Sequence, residues 1–377
     1  MSELLKPIRN KYNIPALAAA FVRGNDVVSI GAVGVRKSES KEPIQIDDCF
    51  QIGSCTKSMT ATMIARLVEQ GKLSWESKIS DVFPEAKAKI HNKFKNVTLR
   101  QLLTHRSGLP DDRRPDSVIF PQLRTWKEPL PKQRKKLLEL LLNREPAYEP
   151  GTKMEYSNYG YVIAGAMAEK VTGKSWEELM KKLLFEPLGM KTAGFGPPGL
   201  SSPENVAWGH LGENCEPIKP SPLADNPPVI GPAGTVHCSI SDWAKYAILH
   251  LRGARGEKGL LLKPETFRIL HGFDNGEAMG WIVGDRDWAG GKTLAHAGSN
   301  TLWFAVIWIA PRKNAAFLAV TNCGSENSIR ACDETISEMI KSYIREYPHK
   351  WTVPKYILFQ EIIYICFQKN LMMHFTN

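Results

Sequence analysis

The chain has 377 residues, of which 43% are hydrophobic and 23% charged. That is an ordinary globular composition, enough for one large domain or two intimate lobes, and it excludes a disordered or fibrous chain. The formal charge of +10 is concentrated between Lys87 and Arg144, where about fifteen basic residues stand against about five acidic ones. Such a stretch can mark a nucleic-acid or anionic-surface binder. No nucleic-acid-binding motif accompanies it, and Leu137, Leu138, Leu140, Leu141 and Leu142 follow Lys132-Gln133-Arg134-Lys135-Lys136 directly. We read the solvated face of a helix, and no nucleic-acid partner is expected.

Residues 15–23 and 27–36 are β-rich runs around Gly24-Asn25-Asp26, a hairpin signal. The next element begins near Ser54. Met63, Ile64, Leu67 and Val68 recur at helical spacing, and Gly71 stands where a C-terminal cap belongs. From about 81 to 229 the pattern is mainly helices and loops. Thr98 starts one helix, Tyr159–Thr172 forms another closed by Gly173, and Ser175–Leu184 is a third. The loops 110–131 and 193–232 are long and proline-rich, as lids and pocket walls often are. A helix near Ser241–Leu251 precedes three β-rich runs, Thr293–Ala297, Trp303–Ala310 and Ala315–Thr321, which we read as consecutive antiparallel strands. A last helix is expected from about Glu326 to Tyr347.

This order predicts an α/β fold of the α+β type: an antiparallel sheet flanked by helices, built from both chain ends, with a mostly helical lobe inserted. The lobes are 1–80 with 230–347, and 81–229. In the remainder, 348–377, the run Tyr356–Phe367 is apolar but broken by Gln360 and Glu361, and it is too short for a membrane span. We read it as a disordered or non-native extension rather than an amphipathic surface helix. No transmembrane segment is expected.

Seven cysteines without a Cys-x-x-Cys pair favour reduced thiols over a disulfide framework. Met1–Asn10 is charged and has no signal-peptide pattern, so a cytoplasmic location is expected. No spaced set of metal ligands occurs, and neither a metal nor another cofactor is expected.

Three motifs carry chemistry. In Ser54-Cys55-Thr56-Lys57 the serine and lysine lie three apart at a helix start, on one face. A serine hydroxyl needs a nearby base, and a desolvated amine one turn away can serve or tune one. A helix N-terminus also favours developing negative charge. In Tyr156-Ser157-Asn158, a phenol beside a lysine can accept a proton and return it to a leaving group, and an asparagine two residues on can contact an ester or amide. In His296-Ala297-Gly298-Ser299, at a strand end, glycine permits close approach, a backbone N–H can serve an oxyanion, and histidine can hold a proton.

In this order and spacing the three motifs resemble the serine β-lactamase and penicillin-binding-protein superfamily, in its branch of class C β-lactamases, DD-peptidases, D-aminopeptidases and family VIII esterases. Residues 102–110, Tyr156–Gly165, Glu186-Pro187-Leu188-Gly189-Met190, and Pro232-Ala233-Gly234 with Asp242 extend the resemblance over nearly the whole domain. It implies that Ser54 is acylated and that Lys57 steers the proton. Tyr156 would be base and then acid, and Asn158 would touch the acyl side. The N–H groups of Ser54 and Ser299 would form the oxyanion hole. Which of Lys57 and Tyr156 takes the first proton stays open. His296 stands where many of these β-lactamases have a lysine that grips the substrate carboxylate, which speaks against efficient β-lactam turnover. Asn300-Thr301 replaces the more glycine-rich sequence of many relatives, so a narrower cleft floor is expected.

The leading expectation is therefore a serine hydrolase acting on a small ester. A D-aminopeptidase or DD-peptidase-like amidase is the alternative. A catalytically silent or anionic-surface binding protein is the alternative of another class. An α/β-hydrolase is disfavoured, because no Gly-x-Ser-x-Gly elbow occurs.

Overall fold

The two N-terminal β-rich runs pair as a hairpin. In the computed structural model, which describes residues 1–111, 119–200 and 206–344, β1 (Ala16–Arg23) and β2 (Asp26–Gly34) are antiparallel, with Arg23 opposite Asp26. Gly24 opens the two-residue turn at φ +61°, a conformation that costs glycine little. Five short strands follow: β3 (Cys49–Gln51), β4 (Gly194–Phe195), β5 (Gly209–Leu211), β6 (Glu216–Ile218) and β7 (Val236–Ser239). The last four are β8 (Ile282–Arg286), β9 (Gly291–Ser299), β10 (Phe304–Ala310) and β11 (Ala315–Thr321).

The main sheet has six antiparallel strands in the order β2-β1-β11-β10-β9-β8. N-terminal β1 lies beside C-terminal β11, so the sheet is built from both chain ends as the sequence predicts. The sequence reading missed β8, an edge strand whose Ile-Val-Gly-Asp-Arg sequence offers two apolar residues and no alternation.

Both faces of the sheet are covered, which is why β1, β10 and β11 are apolar at nearly every position. On one face Leu17, Phe21, Val306 and Trp308 share a core with α1 (Ser2–Lys11) and the C-terminal helix, Glu326–Tyr343. On the other, Ala18, Val22, Ile307 and Ile309 join a larger core. That core includes α2 (Thr56–Glu69), α3 (Leu99–Leu103), α4 (Leu130–Leu142), α5 (Asn158–Thr172) and α6 (Ile240–Ala254). The predicted caps are present. Thr98 and Gln101 close a capping box at α3, and Gly173 ends α5 at φ +67°. The C-terminal helix is α7, described to Tyr343; residues 345–377, with the expectation for the tail, lie outside the described residues.

Two expectations are corrected. The basic stretch is not simply a solvated face, because Gln133 and Arg134 of α4 are buried. Arg134 is clamped between Glu169, at 2.5 Å, and Glu177, which supply the opposite charge a buried guanidinium requires. Lys135 and Lys136 pair with Glu85 and Glu128 at 3.3 and 3.2 Å. The cysteines are not all reduced: Cys215 and Cys323, 108 residues apart, form a disulfide with Cα atoms 5.8 Å apart. Folding brings the β5–β6 turn against the end of β11, a proximity that cysteine spacing does not encode. Cys49, Cys55, Cys238 and Cys332 are not in disulfides.

Candidate active site

Strand β3 runs through Ile52 into a single 3₁₀ turn, Gly53–Cys55, that leads directly into α2. This puts Ser54 just ahead of the helix N-terminus and Lys57 in its first turn. Gly53 has φ +51°, and a Cβ there would come 2.3 Å from the Ser299 nitrogen. A Cβ on Gly298 would come 2.2 Å from the Ile52 oxygen and 2.4 Å from the Ser54 nitrogen. Glycine at both positions lets the end of β9 lie against the turn at backbone contact, which brings the Ser54 and Ser299 N–H groups into one neighbourhood.

Lys57 is fully buried. Its Nζ donates to Ser54 Oγ at 3.0 Å, to Asn158 Oδ1 at 2.6 Å and to the Ala233 carbonyl at 2.8 Å. An ammonium has three N–H donors, and these three acceptors satisfy it. The Tyr156 hydroxyl donates to Ser54 Oγ at 2.7 Å, and Lys57 Nζ lies 4.7 Å from the centre of the Tyr156 ring. Ser54, Lys57, Tyr156 and Asn158 therefore form one hydrogen-bonded cluster, although 101 residues separate Lys57 from Asn158.

Tyr156 precedes α5, with Ser157 as its N-cap residue. His105, at φ +58°, stacks its ring on Tyr156 with centroids 4.6 Å apart, and its Nδ1 accepts the Ser157 N–H at 3.1 Å. Gly160 lets α5 approach α3, since a Cβ there would meet the Leu102 oxygen at 2.8 Å. The phenol is thus aimed by its flanks rather than by its own strand or helix.

His296 lies on β9 and lines a cavity with Tyr156. It is only 3% exposed. Burial, with the nearby Lys57 charge, pushes its pKa down to about 3, although its hydrogen bond to the Ala297 carbonyl opposes this. The imidazole is neutral at physiological pH and offers no cation.

A model of the Beta-lactamase family matches residues 1–336. The chain belongs to the β-lactamase family. This β-lactamase-family chain is 26% identical over 344 residues to "Penicillin-binding protein 4" of Amycolatopsis lactamdurans, covering 86% of this chain and 85% of that protein. Its fold is similar to the octameric penicillin-binding protein homologue of Pyrococcus abyssi, with TM-score 0.71 and 23% identity, over 90% of this chain and 76% of that one. It is also similar to the D-alanine carboxypeptidase AmpC of Burkholderia cenocepacia, with TM-score 0.68 and 20% identity, over 89% and 97% of the two chains. The β-lactamase fold of the serine hydrolase superfamily is therefore established for this chain.

Sequence reasoning missed Asp225 beside this candidate site. Asp225 is 4% exposed, and its Oδ1 accepts from Gln51 Nε2 at 2.9 Å, Asn300 Nδ2 at 2.8 Å and the Asn226 N–H at 2.7 Å. Gln51 in turn accepts the Gly53 N–H at 2.5 Å and donates to the Gly234 carbonyl at 2.7 Å. One buried carboxyl thus ties the segment before Ser54 to the segment after Ser299. Among the described residues its Oδ2 has no hydrogen-bond partner, and burial pushes its pKa up to about 7 against the pull of those donors. No motif flags Asp225, because it sits in the proline-rich loop 193–232 and acts through neighbours distant in sequence.

Among the described residues no group of three or more His, Cys, Asp and Glu could hold a metal ion, and no helix is long and apolar enough to cross a membrane.

Proposed function

We propose that this protein is an esterase that hydrolyses small uncharged esters through an acyl-enzyme on Ser54. The observation that carries the reading is Ser54 Oγ, held 3.0 Å from Lys57 Nζ and 2.7 Å from the Tyr156 hydroxyl. Once the Tyr156 hydroxyl has lost its proton beside Lys57, Ser54 Oγ attacks the ester carbonyl carbon and gives its proton to the phenolate oxygen. Three committed N–H donors make Lys57 the fixed charge that favours the phenolate, which supports Tyr156 rather than Lys57 as first acceptor.

The Ser54 and Ser299 N–H groups receive the developing oxyanion, worth about 3–4 kcal/mol per donor in comparable hydrolases. Tyr156 then returns the proton to the departing alkoxide, leaving the acyl group on Ser54. Water, deprotonated by the same phenolate, attacks the acyl carbon, and Ser54 regains the proton as the acid leaves. Asn158 gives its amide oxygen to Lys57, so its contact with the acyl group is expected from the amide NH2.

Neutral His296 favours an uncharged ester over a β-lactam or D-Ala-terminated peptide, whose carboxylates need a cation. The test is a panel of p-nitrophenyl short-chain esters, D-amino-acid amides and nitrocefin. Ester hydrolysis that Ser54→Ala abolishes, with slow or no nitrocefin turnover, is expected. Turnover of D-amino-acid amides with inert esters would replace this reading by the amidase.

A further inference from the structure

A cavity of about 230 Å³ opens beside Tyr156 and His296. Its walls come from residues 104–106, from Tyr156, and from the segment 276–283 that leads into β8. In the reaction above Tyr156 protonates the departing oxygen, so a leaving group that extends past Tyr156 enters this cavity. Met154, Trp281, Ile282 and Val283 give it an apolar lining.

Two oppositely charged side chains meet across this lining. Arg106 Nε lies 3.1 Å from Glu277 Oε1, and each side chain is 31% exposed. They come from two different segments of the lining. The Glu277 wall is pinned at both ends. A Cβ on Gly272 would come 2.4 Å from the Ala278 nitrogen, and one on Gly280 would come 2.5 Å from the Ser58 Cα at the start of α2. The Glu277 N–H also donates to Asn275 Oδ1 at 3.0 Å. Glu277 is thus presented to Arg106 by a braced loop.

We propose that Glu277 sets the charge of the leaving group: by occupying Arg106 it bars carboxylate-bearing leaving groups and reserves the cavity for neutral alcohols and phenols. The inference rests on the esterase reading. Besides Arg106, a leaving-group carboxylate entering the cavity comes near His105, whose ring is stacked on Tyr156 with Nδ1 taken by the Ser157 N–H, and near His296 and Lys57. His296 is neutral, and Lys57 already donates to three protein acceptors. It must therefore compete for Arg106, and winning would bring two carboxylates together. Removing the Glu277 charge leaves Arg106 as a planar, permanently charged partner suited to a carboxylate.

The experiment compares phenyl acetate with 3-acetoxybenzoate, which have the same acyl group and leaving phenols that differ by one carboxylate. The readout is the ratio of their kcat/KM values. In the wild type the neutral ester is preferred. In Glu277→Gln the ratio shifts toward 3-acetoxybenzoate by about two- to fivefold, the size of one released charge pair. In the double variant Arg106→Gln, Glu277→Gln the shift disappears. A ratio unchanged by Glu277→Gln, or a shift that survives the loss of Arg106, overturns the proposal. If neither ester is hydrolysed, the esterase reading fails first. Calorimetric binding of 3-hydroxybenzoate then decides this inference, with tighter binding to Glu277→Gln but not to the double variant expected, and equal binding to all three proteins contradicting it.

Discussion

In the proposed mechanism Ser54 draws its reactivity from one local partner and one distant one. Its hydroxyl touches a lysine one helical turn on and a tyrosine 102 residues away. In the proposed mechanism the lysine charge keeps the phenolate available, and the phenolate moves the proton. Tyr156→Phe keeps the ring that His105 stacks on but removes the proton carrier, so kcat should fall by about 10²–10⁴-fold with KM little changed. A KM effect alone would make Tyr156 a binding residue. His296 makes a second test at this scale. Its pKa of about 3 leaves it neutral over the working range. The preference between neutral and carboxylate-bearing esters should therefore stay constant from about pH 5 to about pH 8, whereas a histidine near its ordinary value of ~6.5 would shift that preference with its own charge. A titration of the ratio near that value would contradict the neutral assignment.

At the scale of elements, the site is the contact between the β3–α2 turn and the end of β9, braced by Asp225. Gly298→Ala forces a Cβ to within 2.2 Å of the Ile52 oxygen, so one strand must retreat. The expected cost is about 1–3 kcal/mol in thermal unfolding, with loss of ester hydrolysis. Unaltered activity would separate β9 from the chemistry. Asp225 has a folded pKa of about 7, above the carboxylate's unfolded value. Between about pH 4 and about pH 7 the unfolded chain therefore gives up this proton while the folded chain keeps it, so Asp225 lowers stability progressively across that window. Asp225→Asn abolishes the titration. The unfolding midpoint of the variant relative to the wild type should rise by a few degrees between about pH 5 and about pH 8. A flat difference would rule out a buried titrating acid.

These elements also mark where the sequence was readable. Ser54, Lys57, Tyr156 and Asn158 announced themselves because each motif keeps its residue types at fixed short spacing, and the structure brings all four together. The β1–β2 hairpin and the strands β9, β10 and β11 were legible from apolar runs bounded by turns. Edge strand β8 and helix α1 were not, since one lacks alternation and the other looks like a charged terminus. Asp225 and the Arg106–Glu277 pair were invisible for another reason. Their meaning lies in contacts between loops, and loop sequences carry no period.

At the scale of the whole molecule, a sheet built from both chain ends joins distant segments, and the Cys215–Cys323 disulfide locks one such junction. It closes a 108-residue loop, for which chain entropy alone gives roughly 4–5 kcal/mol. Cys215→Ser should lower the unfolding midpoint by several degrees under oxidising conditions and make no difference once reductant is present. Equal midpoints without reductant would mean that the bond contributes nothing. The junction lies at the β5–β6 turn, whereas the proposed chemistry lies at the start of α2, so reduction should change stability more than turnover.

The proposed mechanism depends on Ser54 carrying the acyl group. The direct measurement is mass spectrometry of the protein quenched in acid during hydrolysis of a p-nitrophenyl ester, with peptide mapping of the adduct. The account predicts one acyl group per chain on the peptide containing Ser54, absent in Ser54→Ala and much slower to form in Tyr156→Phe. Hydrolysis without that adduct, or an acyl group mapped to another residue, would contradict it.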